Sequence, residues 1–241
     1  MSRDLANMLV EAIRQDSLVD GDTVPQPDLA DAYAVQSMVL EQLGIAPKGC
    51  KLSLRGDSVL SAPLLSVTEH AHFPYQPGLK LEVEIALVLG RDVPVRAQSY
   101  HRQDIRDAIA EVRLGVEFVR SRYLGGPQNR TGLLVADLMS NAGYRLGPPL
   151  DVDVLTEGRQ ADPLRVTEGT QPLFDALARH PDIDPLAALV VYANEADRPA
   201  DSLRQGSVVT TGSLCGGLPL SGAGSVSILL GQHAWTLEIT G

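Results

Sequence analysis

The run Leu81-Glu-Val-Glu-Ile-Ala-Leu-Val-Leu-Gly90 constrains this chain more than any other stretch. Its aliphatic residues predict a strand bound for the interior. On such a strand Glu82 and Glu84 fall on one face, because side chains alternate with period two. Like charges side by side repel, and burying either one alone is costly. Two solutions follow: an exposed edge strand whose solvent face carries both glutamates, or a bound divalent cation. Oxygen-only ligands of this kind favour a hard ion, Mg2+ or Mn2+, over zinc.

At 241 residues the chain can bury a substantial core, and 44% hydrophobic with 21% charged residues suits a globular protein. Aromatic residues make up only 4%, which argues against stacking platforms for single-stranded nucleic acid. A formal charge of -10 argues against binding a phosphate backbone. An anionic substrate would need a local positive centre, and a bound metal could supply it. Cys50 and Cys215 are too few for a disulfide framework or a zinc cluster, so a reducing, cytoplasmic setting is expected. No apolar run approaches the ~18 residues of a membrane span, and no membrane partner is expected.

Apolar positions at Leu5, Met8, Leu9, Ala12 and Ile13 predict a helix over residues 2–15. Asp28 then caps a second helix, Leu29 to Leu43, closed by Gly44. Residues 1–48 thus read as a helical arm and 49–241 as the catalytic domain. Strands are expected at Cys50–Leu54, Val112–Val119, Asn141–Leu146, Leu150–Leu155, Ser207–Thr211, Ser225–Leu230 and Trp235–Ile239. Helices are expected at Arg102–Ala110 and Gln171–His180. Ser61–Gly78, with Pro63, Pro74 and Pro77, reads as loop. Strands outnumber helices without strict alternation, which favours an α+β fold.

Glu117, in Leu114-Gly-Val-Glu-Phe-Val119, is a second acid among apolar neighbours. It completes a three-carboxylate face with Glu82 and Glu84, or it pairs with Arg113, Arg120 or Arg122. Lys51 lies in another apolar strand. Burial there lowers its pKa, or a facing carboxylate keeps it charged; alternatively it snorkels to the surface. His70 and His72 could form an imidazole pair on an irregular loop. Thr210-Thr-Gly-Ser-Leu-Cys-Gly-Gly217 is a glycine-rich turn that could cradle a carboxylate with backbone N–H groups, or simply join two strands.

Several ordered segments carry a family resemblance. They are Ala30-Asp-Ala-Tyr-Ala-Val-Gln36, Gly49-Cys-Lys-Leu-Ser-Leu54, Leu81 to Asp92, and Gly115-Val-Glu-Phe-Val-Arg-Ser-Arg-Tyr123. Val135-Ala-Asp137 then leads into Ser140-Asn-Ala-Gly143, and Gly206 to Leu214 completes the set. Over nearly its whole length the chain resembles the 2-keto-4-pentenoate hydratase / 4-oxalocrotonate decarboxylase group of the fumarylacetoacetate hydrolase superfamily. The resemblance implies a mixed β-roll with flanking helices, commonly assembled into homo-oligomers. It assigns Glu82, Glu84 and Glu117 to a divalent metal and Lys51 to the active site. Asp137, Ser140, Thr211 and Gly212 match pocket positions, with Asp137 taken as a second catalytic group. Departures fall on the substrate wall: the family's Lys-Ile-Gly-Leu-Thr reads Lys51-Leu-Ser-Leu-Arg55, its Asn after Val-Ala-Asp is Leu138, and its acid after Gly206 is Ser207.

The expected function is a Mg2+- or Mn2+-dependent lyase acting on a small 2-oxo or 2-hydroxy-dienoic acid, hydration first. The alternatives are decarboxylation of a diacid, acylpyruvate hydrolysis using His70 or His72, a specialised cyclase or isomerase, and an inactive assembly partner. Arg55 either binds a second substrate carboxylate or is a solvated turn residue.

Overall fold

The computed structural model describes residues 2–241. Two helices, α1 (Ser2–Gln15) and α2 (Leu29–Leu43), open the chain. The Asp28 carboxylate accepts the Asp31 N–H at 2.8 Å, and Gly44 ends α2 in the left-handed conformation, φ 67°. There follow β1 (Gly49–Arg55), β2 (Ser58–Pro63), β3 (Val67–Thr68), β4 (His72–Pro74), β5 (Lys80–Leu89), α3 (Arg102–Arg106) and β6 (Ile109–Val119). Then come α4 (Thr131–Ala136), β7 (Asn141–Pro149), β8 (Pro163–Glu168), β9 (Gln171–Leu177) and α5 (Ala187–Ala193). The chain closes with β10 (Val208–Ser213), β11 (Leu218–Pro219), β12 (Gly224–Leu230) and β13 (His233–Thr240).

The strands form two mixed sheets. The larger runs β2-β1-β10-β5-β6-β7-β3, with β11 pairing onto β5; the smaller runs β4-β13-β12-β8-β9. β5 and β6 lie at the centre of the larger sheet, so their two faces serve different ends. Leu81, Val83, Leu114, Val116 and Phe118 point between the sheets and meet Phe73, Val166, Val226, Ile228 and Leu237 in the main core. Each such side chain contributes roughly 1.5–3 kcal/mol on burial. Glu82, Glu84 and Glu117 point the other way. On that side α1, α2 and α4 share a second core with Leu60, Ala62 and Met139. Gln36 on α2 locks the helices down, donating to the carbonyls of Val135 (2.6 Å) and Ser61 (3.1 Å). Among the described residues no helix is long and apolar enough to cross a membrane.

The α+β class and the sheet-forming runs agree with the sequence reading, and four local expectations are corrected. Gln171–Leu177 is the strand β9, hairpinned onto β8, where a helix was expected. Leu173, Phe174 and Leu177 have helical spacing, but the ladder to β8 overrides that weak local preference. Within Leu150–Leu155, Val152–Leu155 is a 3-10 turn, not a strand. The Ser61–Gly78 loop holds the end of β2 and all of β3 and β4; Pro63 and Pro74 sit at the ends of edge strands, where no ladder donor is required. The helix at Arg102 stops at Arg106, and β6 begins at Ile109.

Candidate metal centre and active site

β5 and β6 run antiparallel with Glu82 opposite Glu117 and Glu84 opposite Gly115. This register brings the three glutamates together, with one carboxylate oxygen from each within 4.8 Å of the others. Glu84 and Glu117 are fully buried, and Glu82 is half-buried at the rim. Burial, and then the charges of Glu117 and Glu82, push Glu84 well above the usual carboxylate range.

Lys51 on β1 reaches this cluster because β1 pairs with β10 alongside β5. Its Nζ lies 2.6 Å from Glu117 Oε1 and 3.3 Å from the carbonyl of Met139. Burial opposes its charge, but Glu117, Glu82 and Glu84 together raise its pKa above the ordinary lysine value, so it is an ammonium. The partner of Glu117 is therefore Lys51. Arg113 pairs with Glu69, Arg120 with Asp16 and Arg122 with Asp137.

Asn141 Nδ2 also donates to Glu117 Oε1 at 2.8 Å, and its own Oδ1 accepts the Leu65 N–H at 2.7 Å. Glu117 Oε2 is left buried without a hydrogen-bond partner among the described residues. Thr210 Oγ1 donates to Glu84 Oε2. Three carboxylates thus face one ammonium, and one buried oxygen of Glu117 lacks a donor among the described residues. A hard divalent cation fits that donor set and that charge.

Leu138, Met139 and Ser140 carry φ of 54°, 50° and 63°, a left-handed turn built without glycine. Such backbone is strained by roughly 1–2 kcal/mol per residue. It carries the Met139 carbonyl that meets Lys51. Ser140 takes part through its backbone, its N–H donating to the Asp137 carbonyl and its carbonyl accepting from Arg120 N–H. Asp137 is fully buried, and both its oxygens are engaged: Oδ2 by the Arg122 N–H (2.9 Å) and Ser121 Oγ (3.3 Å), Oδ1 by Arg122 Nη1 (3.3 Å). Burial pushes its pKa up to about 6 even against Arg122.

The remaining sequence candidates fall around the cluster. Thr211 turns away from Glu84, donating to the Pro185 carbonyl (2.8 Å) and meeting His180 Nε2 (3.1 Å). Gly212 has φ 137°, and a Cβ there would lie 2.5 Å from Pro181. Arg55 is exposed at the end of β1, four residues and thus ~13 Å of strand beyond Lys51; its charge acts on Asp182. His70 and His72 stack at 5.5 Å where β4 joins the smaller sheet, and neither belongs to the carboxylate group. Burial raises the Cys215 thiol, which does not suit a nucleophile.

Sequence reasoning passed over Asn141, Thr210 and the Met139 carbonyl. Asn141 lies inside the quoted Ser140-Asn-Ala-Gly143 segment, so position pointed to it while its role did not show.

No protein-family model and no curated protein matches the chain. Solved structures do. 4-Oxalocrotonate decarboxylase from Pseudomonas putida G7, complexed with magnesium and adipate, superposes with a TM-score of 0.79 at 19% identity, covering 99% of this chain and 96% of that one. A fumarylacetoacetate hydrolase family protein from Yersinia pestis CO92 gives 0.56 at 17% identity, over 79% of this chain and 91% of that one. The chain has the fumarylacetoacetate hydrolase fold. Maleylpyruvate hydrolase from Sphingobium sp. SYK-6 shares this fold at a TM-score of 0.51 and 15% identity, with 96% of this chain and 85% of that one covered. The fumarylacetoacetate hydrolase fold accounts for the mixed sheets and the few helices described above.

Proposed function

We propose that this protein is a divalent-metal-dependent lyase that cleaves carbon dioxide from a small 2-oxo diacid. The observation that carries the reading is the Glu82–Glu84–Glu117 cluster with the Lys51 ammonium in contact with it. Glu82, Glu84 and Glu117 would hold Mg2+ or Mn2+, which supplies Lewis-acid polarisation of the carbonyl of a bound 2-oxo acid.

The chain's own residues account for the rest. Asn141 and Lys51 both engage Glu117 Oε1, which leaves Oε2 free to meet a cation, and Thr210 likewise fixes Glu84 through Oε2. Lys51, kept protonated by three carboxylates, would give its proton to the dienolate formed when the carbon–carboxylate bond breaks, carbon dioxide leaves and the electron pair passes through the alkene to the 2-oxo oxygen. Asp137 is a positioning residue. It holds Arg122, Arg122 Nη2 donates to the Asn141 carbonyl at 2.6 Å, and Asn141 holds Glu117. The fold likeness to a decarboxylase complexed with adipate, itself a dicarboxylate, supports a diacid substrate.

Hydration of a 2-hydroxy-dienoic acid is the second reading. Glu82 favours it, being the half-buried carboxylate, placed at the rim where it could direct a water.

The test is to supply the Mg2+-loaded protein with 2-oxohex-3-enedioate and, separately, with 2-hydroxypenta-2,4-dienoate. Release of carbon dioxide from the first is the expected result. Turnover of the second alone would select hydration, and turnover of neither would overturn both. Metal titration of Glu84→Gln should show affinity reduced at least ~10-fold against wild type; equal affinities would remove its ligand role.

A further inference from the structure

A second charged cavity lies beside β7, between the edge of the larger sheet and α1, and none of the three glutamates lines it. On β7, Tyr144 stands opposite Glu117 and Arg145 opposite Val116, so Arg145 points away from the carboxylate cluster. The cavity is about 230 Å³ in volume, and its walls include Arg120, Arg122, Arg145, Phe73, Ser66 and Ile13. The three arginines are only 8%, 4% and 6% exposed.

Their charges do not balance. Asp16 pairs with Arg120 at 2.8 Å and Asp137 with Arg122 at 3.3 Å. Among the described residues Arg145 has no carboxylate partner: its Nε donates to the His72 carbonyl, and its Nη1 to the carbonyls of Ser66 and Tyr144, each at 2.9 Å. Three buried cations against two carboxylates leave one positive charge, in a chain whose net charge is -10. Burial holds the Arg145 guanidinium below its ordinary value.

The same contacts fix its geometry. Three backbone carbonyls hold the guanidinium over the Phe73 ring, 4.9 Å from the centroid, and Nη2 makes no hydrogen bond to the described residues. A planar fork held in this way is preorganised for an oxyanion, because no side-chain entropy is lost on binding. Phe73 and Ile13 add an apolar wall suited to a short carbon chain.

We propose that this cavity binds a small oxyanion, the carboxylate of an organic acid or a phosphate, at a site separate from the metal centre. Arg145 is its anchor, and Arg120 and Arg122 set the surrounding potential.

The experiment is calorimetric titration of the full chain, loaded with Mg2+ and saturated with oxalate so that the metal site is filled. Inorganic phosphate and succinate are titrated separately at constant ionic strength in chloride, which distinguishes the two sources of oxyanion. Wild type should bind at least one of them saturably. Arg145→Gln should weaken that binding at least tenfold. Ile13→Trp, which fills the cavity from α1 without removing a charge, should weaken it similarly and decides the matter if Arg145→Gln fails to fold. Absence of saturable binding in wild type, or equal affinity in wild type and Ile13→Trp, overturns the proposal.

Discussion

Lys51 keeps its proton in a place where burial alone would remove it. Desolvation of a buried lysine favours the neutral amine, and it is the carboxylates of Glu117, Glu82 and Glu84 that reverse the balance. The ammonium in turn offsets part of the repulsion among the three acids. Lys51→Met should therefore separate two properties. Turnover should fall by at least ~10²-fold, the ordinary share of a positioned proton donor, while metal affinity stays level or rises because a cation has left the site. Kinetics and metal titration on the same preparation check this; a parallel loss of metal affinity would make Lys51 a structural support only. At this scale the three acids were legible as candidates, since alternation alone puts Glu82 and Glu84 together. The choice of Lys51 over three nearby arginines as the partner of Glu117 was not. Arg113, Arg120 and Arg122 are closer in sequence, but each has its own acid elsewhere in the fold.

At the scale of elements, β5 and β6 owe their double use to one residue without a side chain. Gly115 lies across from Glu84, and a Cβ there would stand 1.9 Å from the Tyr144 hydroxyl. Only glycine leaves room there for the end of the Tyr144 side chain. Gly115→Ala should cost about 1–3 kcal/mol of stability by overpacking and weaken metal binding by shifting Tyr144 toward Glu84. Urea unfolding and metal titration report the two effects separately. β10 shows what alternation could not decide. Thr210 and Thr211 are adjacent and chemically identical, and only Thr210 meets Glu84. Thr210 pairs with Ala86, two residues from Glu84 and on its face, and this pairing of β10 with β5, which decides between the two threonines, is not visible in the segment alone. β9 failed for a related reason: its apolar spacing suits a helix, and the partner strand settled the matter.

Across the whole molecule, two buried groups give stability opposite dependences on pH. Burial lowers His180 to about 4, against ~6.5 in an unfolded chain. The unfolded state therefore takes up a proton first, and the contribution of His180 is lost as pH falls from 6.5 toward 4. Asp137 runs the other way. Its folded pKa is raised to about 6, against ~3.9 unfolded, so its contribution is lost as pH rises through that interval. Relative to wild type, His180→Gln should thus be better preserved at pH 4.5 than at pH 7. Urea midpoints of the metal-free proteins at the two values test this, and a difference independent of pH would refute it.

Alternation of side chains is a local rule, and so the sequence by itself determined that Glu82 and Glu84 share a face, that helices end at Gly44, and that strands dominate. The ordered segments around Lys51, Glu117 and Asp137 extended this to a fold and a set of candidate metal ligands. Only the tertiary structure decided which strands became neighbours. That decision joined Lys51 to Glu117, recruited Asn141 and Thr210, drew Asp137 into the support of Arg122, and left Arg55 at the rim. It also left Arg145 buried with no acid partner among the described residues. Contacts between residues distant along the chain depend on sheet order and register, and those are set by burial summed over the whole core.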